Sequence, residues 1–188
     1  MMKLHWIKQK NKVKIFRLLF FSLVILFLLV TAISLFIPSR VRISKAIDIA
    51  AACPEVWQPI EDMRRWAEWN PFLSQDSQGD VRYSGNPGDI PSAMDLNGTS
   101  IRWKENAADN RTAVMQKGQG RSIGTGWQCI SQSADGPVTL QWYMDFELRW
   151  YPWEKFASIL FEKSYGLRMD AGLRNLKKLV EQDRRSIP

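Results

Sequence analysis

The chain has one histidine, His5, in its extreme N-terminal stretch. Everything beyond it therefore lacks Ser-His and Cys-His nucleophile pairs and the commonest general base. Cysteine is nearly as scarce. Cys53 and Cys129 are too few for a disulfide scaffold and lack the clustered spacing of a zinc site. They read as two small apolar residues, with a single bridge open to them only in an oxidising compartment. No Gly-x-Ser-x-Gly elbow occurs. Gly118-Gln-Gly-Arg-Ser-Ile-Gly124 is one residue too long for a dinucleotide fingerprint and lacks the Lys-Ser/Thr of a phosphate loop, so its glycines read as bends in a twisted sheet. Neither a cofactor nor a metal is expected.

Acidic residues are missing from the first 37 positions. Lys3, Lys8, Lys10, Lys12, Lys14 and Arg17 supply +6 of the formal +7 there, and the remaining 20 basic and 19 acidic residues nearly cancel. A nucleic-acid binder carries its basic excess on the folded surface, so no nucleic-acid partner is expected. Leu18–Ile37 is a run of twenty uncharged residues, interrupted only by the hydroxyls Ser22, Thr31 and Ser34. At about 1.5 Å per residue it matches the roughly 30 Å hydrocarbon core of a bilayer. Leu35-Phe-Ile-Pro38 follows in place of a small-residue cleavage site, which favours a retained anchor over a cleaved signal. Ala50-Ala-Ala-Cys53 faintly matches a lipoprotein box, but Arg40, Arg42, Lys45 and Asp48 separate it from the apolar run. With six basic residues before the run, the positive-inside rule puts the N-terminus in the cytoplasm and the domain on the periplasmic or extracellular side. The expected organisation is a basic cytoplasmic tail at 1–17, a transmembrane helix at 18–37, a linker at 38–40, a domain at 41–182 and a tail at 183–188.

Within the domain, two periodicities meet near the C-terminus. From Val138 to Leu148 every even position is apolar, the period of a strand with one buried face. After Trp150-Tyr-Pro-Trp153, the residues Phe161, Tyr165, Met169, Leu173, Leu176 and Val180 recur three or four apart, as on a helix lying against a sheet. A curved antiparallel sheet gripping a terminal helix satisfies both. Upstream, Val41–Ile49 alternates as a first strand. Pro54 opens one short helix that Pro59 shortens or kinks, and Asp62 caps a second that ends at Asn70-Pro71. Asn97-Gly98 is the strongest hairpin signal. Ala108-Asp-Asn110 and Ala134-Asp-Gly-Pro137 mark further turns, leaving strands near 99–106, 111–118, 121–132 and 138–149. The triplets Asn97-Gly-Thr99 and Asn110-Arg-Thr112 match the N-glycosylation pattern, but both sit where turns favour Asn for backbone reasons.

Two stretches carry a resemblance. One is the strand leading into Pro54-Glu-Val-Trp57 and on through Trp66-Ala-Glu-Trp69-Asn-Pro71; the other is the terminal Met169-Asp-Ala-Gly-Leu173-Arg-Asn-Leu176-Lys-Lys-Leu-Val-Glu181. Across about 41–182 the chain resembles the START-related helix-grip superfamily (SRPBCC), in its polyketide cyclase/dehydrase-like branch, departing from the pattern at Cys53 and Pro59. The resemblance implies an α+β helix-grip fold: a curved seven-stranded antiparallel sheet wrapped around a long C-terminal helix, two short helices after strand 1, and a cavity between helix and sheet. It also implies a hydrophobic small molecule or lipid as partner, with some members acting as cyclases or hydrolases.

Carboxylates are the remaining acid-base candidates. Asp145 and Glu147 share the polar face of their strand. Glu105 would face inward with Ile101 and Trp103 only if its strand stays regular that far, and a carboxylate buried there could act as an acid or base. The aromatic content is more informative, since eight of nine tryptophans lie in the domain. Trp103, Trp127, Trp142 and Met144 on inward strand faces, opposite Tyr165 and Met169 of the helix, are the candidate ligand-binding residues. The expectation is a membrane-tethered domain binding a lipid or other hydrophobic molecule. The alternatives are a cyclase- or hydrolase-type enzyme using a buried carboxylate with Tyr143 or Tyr165, and a protein-interaction module whose cavity is filled by its own side chains.

Overall fold

The computed structural model describes residues 2–74, 81–86, 88–131 and 136–186. The chain forms two compact units: one comprises the residues up to Ser39 together with Leu148–Ala157, and the other Arg40–Glu147 with the residues from Ser158 onward.

In the first unit, helix α1 runs without a break from Met2 to Ser34. The basic N-terminal stretch is thus helical, in keeping with the good helix propensity of Lys and Gln. Its segment Lys14–Ser34 is long and apolar enough to cross a membrane by length and composition. The helix stops three residues before the expected end at Ile37, because Pro38 disfavours helical backbone in the residue before it. Leu35, Phe36 and Ile37 wind into a tight turn, with the Phe36 and Ile37 amides donating to Ile33 and Ser34 at 3.1 Å.

In the second unit, seven antiparallel strands form one sheet in the order β1-β7-β6-β5-β4-β3-β2. The strands are β1 (Arg40–Ile49), β2 (Val81–Ser84), β3 (Ala93–Leu96), β4 (Thr99–Asn106), β5 (Asn110–Lys117), β6 (Ser122–Ser131) and β7 (Val138–Glu147). Asn97 and Gly98 turn the β3–β4 hairpin at φ of 49° and 75°, the left-handed pair that a two-residue hairpin requires. The expected turn at Ala134–Pro137 lies partly outside the described residues. Along β7 the even positions Val138, Leu140, Trp142, Met144 and Phe146 are buried, as the alternation predicted.

Between β1 and β2 come α2 (Cys53–Glu61), a 3₁₀ turn at Met63–Arg65, α3 (Trp66–Trp69) and α4 (Pro71–Ser74). Pro59 falls in the last turn of α2, where it removes one hydrogen bond, and the helix ends two residues later. The carbonyls this end leaves open are taken up by side chains. The indole N–H of Trp69 donates to Pro59 O at 3.0 Å and that of Trp66 to Ile60 O at 2.6 Å. Asp62 Oδ1 accepts from the Arg64 amide at 3.0 Å, the expected cap.

Helix α5 spans Pro152–Ser158, starting inside the segment expected to be a turn, and α6 spans Leu167–Ser186. The tail expected at 183–188 is therefore helical as far as Ser186. Ahead of α6, Glu162–Gly166 is a π-helical turn. Phe161, Tyr165, Met169 and Leu173 are each four apart. A spacing of four overshoots the 3.6-residue turn, so three in succession would walk off the sheet; the wider turn takes up the excess. Met169, Leu173, Leu176 and Val180 are buried beneath the sheet. Where α6 crosses β7, a Cβ at Gly172 would stand 2.8 Å from the Trp142 ring, so only glycine allows this approach.

The two cysteines are not free apolar residues, as expected from their number alone. Cys53, opening α2, is bonded to Cys129 of β6 across 76 residues of sequence. Pairing demands that two distant Cβ atoms meet, and residue spacing carries no information about that. The bridge ties the short-helix layer to the middle of the sheet.

Candidate functional site

The inner face of the sheet is used in two ways along its length. Toward β1 and α2, tryptophans fill it. Trp127 lies 5.3 Å from Trp66, 5.9 Å from Trp103 and 5.8 Å from Trp142 between ring centroids, and Trp142 lies 5.7 Å from Trp69. The rings meet edge-to-face apart from the stacked Trp127–Trp142 pair, the arrangements aromatic quadrupoles favour. Trp142 donates its indole N–H to Thr125 Oγ1 at 2.8 Å. Trp127, Trp142 and Met169 are closed off from solvent and Trp103 is half-buried.

Toward β3–β6 the same face stands clear of the helix and leaves a cavity of about 280 Å³. Leu96, Ile101, Met115, Ile123 and Met144 form its apolar walls. Phe72 and Leu73 of α4 and Tyr165 of the π-helical turn close it from the helical side. Phe72 and Tyr165 stack with centroids 5.9 Å apart, and Tyr165 also lies 4.8 Å from Phe146. The helical side is pinned to β1 by Lys45, whose ammonium is 2.6 Å from Glu162 Oε1. That hydrogen bond, aided by the carboxylate charges of Glu162 and Asp170, holds the Lys45 pKa above its ordinary value against the opposing effect of desolvation.

Of the residues singled out from the sequence, Met144 and Tyr165 line this cavity. Trp103, Trp127, Trp142 and Met169 belong to the packed interior beside it. Glu105 is exposed, because the β4–β5 register shifts between Trp103 and Glu105 and ends the alternation that would have turned it inward. Missing from the sequence reading were Lys117, Arg121 and Arg168, which line the cavity at its edge. Parity carried a signal for two of them: Lys117 lies two positions after the wall residue Met115, and Arg121 two before Ile123. Among the described residues no carboxylate or histidine lines the cavity, and no group of three or more His, Cys, Asp or Glu could hold a metal ion.

Residues 40–181 match the family described as polyketide cyclase / dehydrase and lipid transport. The chain belongs to this family. No curated protein sequence matches it. Among solved structures it is similar to a START superfamily protein from Mycobacterium smegmatis, at 18% identity and a TM-score of 0.53, covering 75% of this chain and 97% of that one. It is also similar to the Zhui aromatase/cyclase from a Streptomyces species, at 12% identity and a TM-score of 0.54, covering 78% and 97%. A truncated norcoclaurine synthase from Thalictrum flavum matches at 13% identity and a TM-score of 0.51, covering 75% and 93%. At such identities these likenesses concern the fold: the family's seven-stranded sheet closed over a C-terminal helix.

Proposed function

We propose that this family member binds a hydrophobic small molecule or lipid in the cavity between its sheet and its C-terminal helical segment, and that it does so tethered to a membrane by α1. The observation that carries the first half is the cavity itself, apolar-walled and close to the lower end of the roughly 300–1,000 Å³ common for small-molecule sites. Binding is favoured over catalysis because, among the described residues, the lining offers no histidine or carboxylate to move a proton, and Glu105 is exposed outside it. Filling the cavity tests this. Ile123→Trp should reduce the retained ligand by more than about tenfold, roughly 1.4 kcal/mol. The measurement is native mass spectrometry of the full chain in nanodiscs of one defined phospholipid. If neither the unaltered chain nor the variant carries any other hydrophobic molecule or takes one up, the proposal fails.

The tether is supported by the uncharged length of α1 and by the unit to which it belongs. There Lys155 Nζ donates to Ile37 O at 2.7 Å and to Ser39 Oγ at 2.8 Å, and the Leu148 amide donates to Ser39 O at 2.7 Å. The end of α1 is thus bound to the segment carrying Trp150, Tyr151 and Trp153. Trp150 and Trp153 are each 62% exposed, with Tyr151 stacked on Trp153 at 4.9 Å. Tryptophan and tyrosine beside a spanning helix suit the headgroup region of a bilayer. Brominated lipids should accordingly quench part of the tryptophan emission of the full chain. Trp150→Phe with Trp153→Phe should remove most of that quenched part, and an unchanged quenched fraction would contradict the interfacial placement.

A further inference from the structure

The cavity's walls are apolar, yet its edge is not. Lys117 at the end of β5, Arg121 in the turn before β6 and Arg168 near the start of α6 reach it from three elements, and no acidic side chain among the described residues joins them in the lining. Lys117 and Arg168 are exposed while Arg121 is half-buried, so the charges gather where the cavity meets solvent. Backbone register explains why two of them converge. Met115 pairs with Ile123 and with Ile101, and Thr99 pairs with Lys117, so Lys117 continues the inward face one step beyond the walls. Arg168 lies with its guanidinium 5.7 Å from the Phe72 ring, held over the aromatic side of the opening. Arg121 donates to Glu147 O at 2.6 Å, which fixes the reach of its side chain. The aliphatic stems of such residues extend an apolar wall while their heads stay in water.

A dry pocket ending in a cluster of cations is complementary to a molecule with a chain at one end and a negative charge at the other. We propose that the ligand is an anionic amphiphile, an acyl chain whose carboxylate or phosphate head is held by Lys117, Arg121 and Arg168. This rests on the cavity being the binding site and adds the charge of the ligand to it. The chain is held by burial against Leu96, Ile101, Met115 and Ile123. The head gains charge-assisted hydrogen bonds, which are shorter and stronger than neutral ones. A neutral molecule of the same length gains only the first.

The test uses the full chain in nanodiscs of a zwitterionic phospholipid, with empty nanodiscs as blank, at a pH where carboxylic heads are ionised. Retention of dodecanoate, dodecyl phosphate and dodecanol is measured on the unaltered chain and on Lys117→Gln combined with Arg168→Gln. Membrane partitioning is common to both proteins and cancels in their ratio. The unaltered chain should hold at least one of the two anions about tenfold more tightly than dodecanol. The double variant should lose that preference and bind dodecanol as before. Dodecanoate alone would identify a free fatty acid as the source, and dodecyl phosphate alone a phospholipid-type head. Equal retention of all three probes, or a preference that survives in the double variant, overturns the anionic assignment while leaving the cavity as a binding site. Retention of none above the blank overturns both.

Discussion

Replacing Cys53 and Cys129 together by alanine should lower the melting temperature of the full chain by roughly 10 °C. The bridge closes a loop over a sequence separation of 76. In the chain-entropy account, closing such a loop removes freedom from the unfolded chain equivalent to roughly 4 kcal/mol. A protein of this size shifts by roughly 2–4 °C per kcal/mol. Scanning calorimetry of the double variant reads the loss directly, and treating the unaltered chain with a reductant should give a fall of similar size. Insensitivity to reductant, or maleimide labelling of the freshly isolated chain without it, would contradict the bond.

The second large effect belongs to Trp127. Fully buried and in contact with four other tryptophans or their neighbours in the ring cluster, it should cost about 3–5 kcal/mol when cut to alanine, as large-to-small aromatic substitutions in cores do. Phenylalanine separates packing from hydrogen bonding. The Trp127 indole N–H has no hydrogen-bond partner among the described residues, so Trp127→Phe removes an unsatisfied buried donor and should cost far less than the alanine change. Trp66→Phe instead strips the Ile60 carbonyl of its partner at the end of α2, and should cost about 1–3 kcal/mol through the exposed acceptor as well as the smaller ring. Urea unfolding of the three variants ranks them. Equal losses for Trp127→Phe and Trp66→Phe would defeat the distinction.

These tryptophans also show where sequence reasoning reaches its limit. Alternation in β7, the Asn97-Gly98 turn, the capping Asp62 and the apolar stripe of the last helix are local patterns, and each appears in the fold as written in the chain. Contact between distant side chains is not a local property. Periodicity places Trp103, Trp127 and Trp142 on inward faces, but whether an inward face meets a ligand or other rings depends on Trp66 and Trp69, which arrive from another layer. Their indoles cap α2, so they are drawn into the interior and fill it. Glu105 is a case of a pattern broken by one slipped residue, and such a bulge has no obligatory sequence mark. The charged edge of the cavity was half legible. Lys117 continues the parity of Met115, whereas Arg168 follows a π-helical turn that the three-or-four spacing of the apolar stripe does not announce.

The order of strands has a consequence for how the protein comes into being. β1 lies at one edge of the sheet, and among the described strands it is hydrogen-bonded to β7 alone. The first strand to leave the ribosome must therefore wait for the last. At ordinary synthesis speeds of about 5–20 residues per second, the ~90 residues between them take on the order of ten seconds. Throughout that interval the backbone of β1 has no sheet to join, while β3, β4, β5 and β6 can zip together as consecutive hairpins. Nascent-chain maturation is thus gated by its closing segment, and a chain stalled before Val138 would present an unmated strand to whatever chaperone or neighbouring polypeptide it met first.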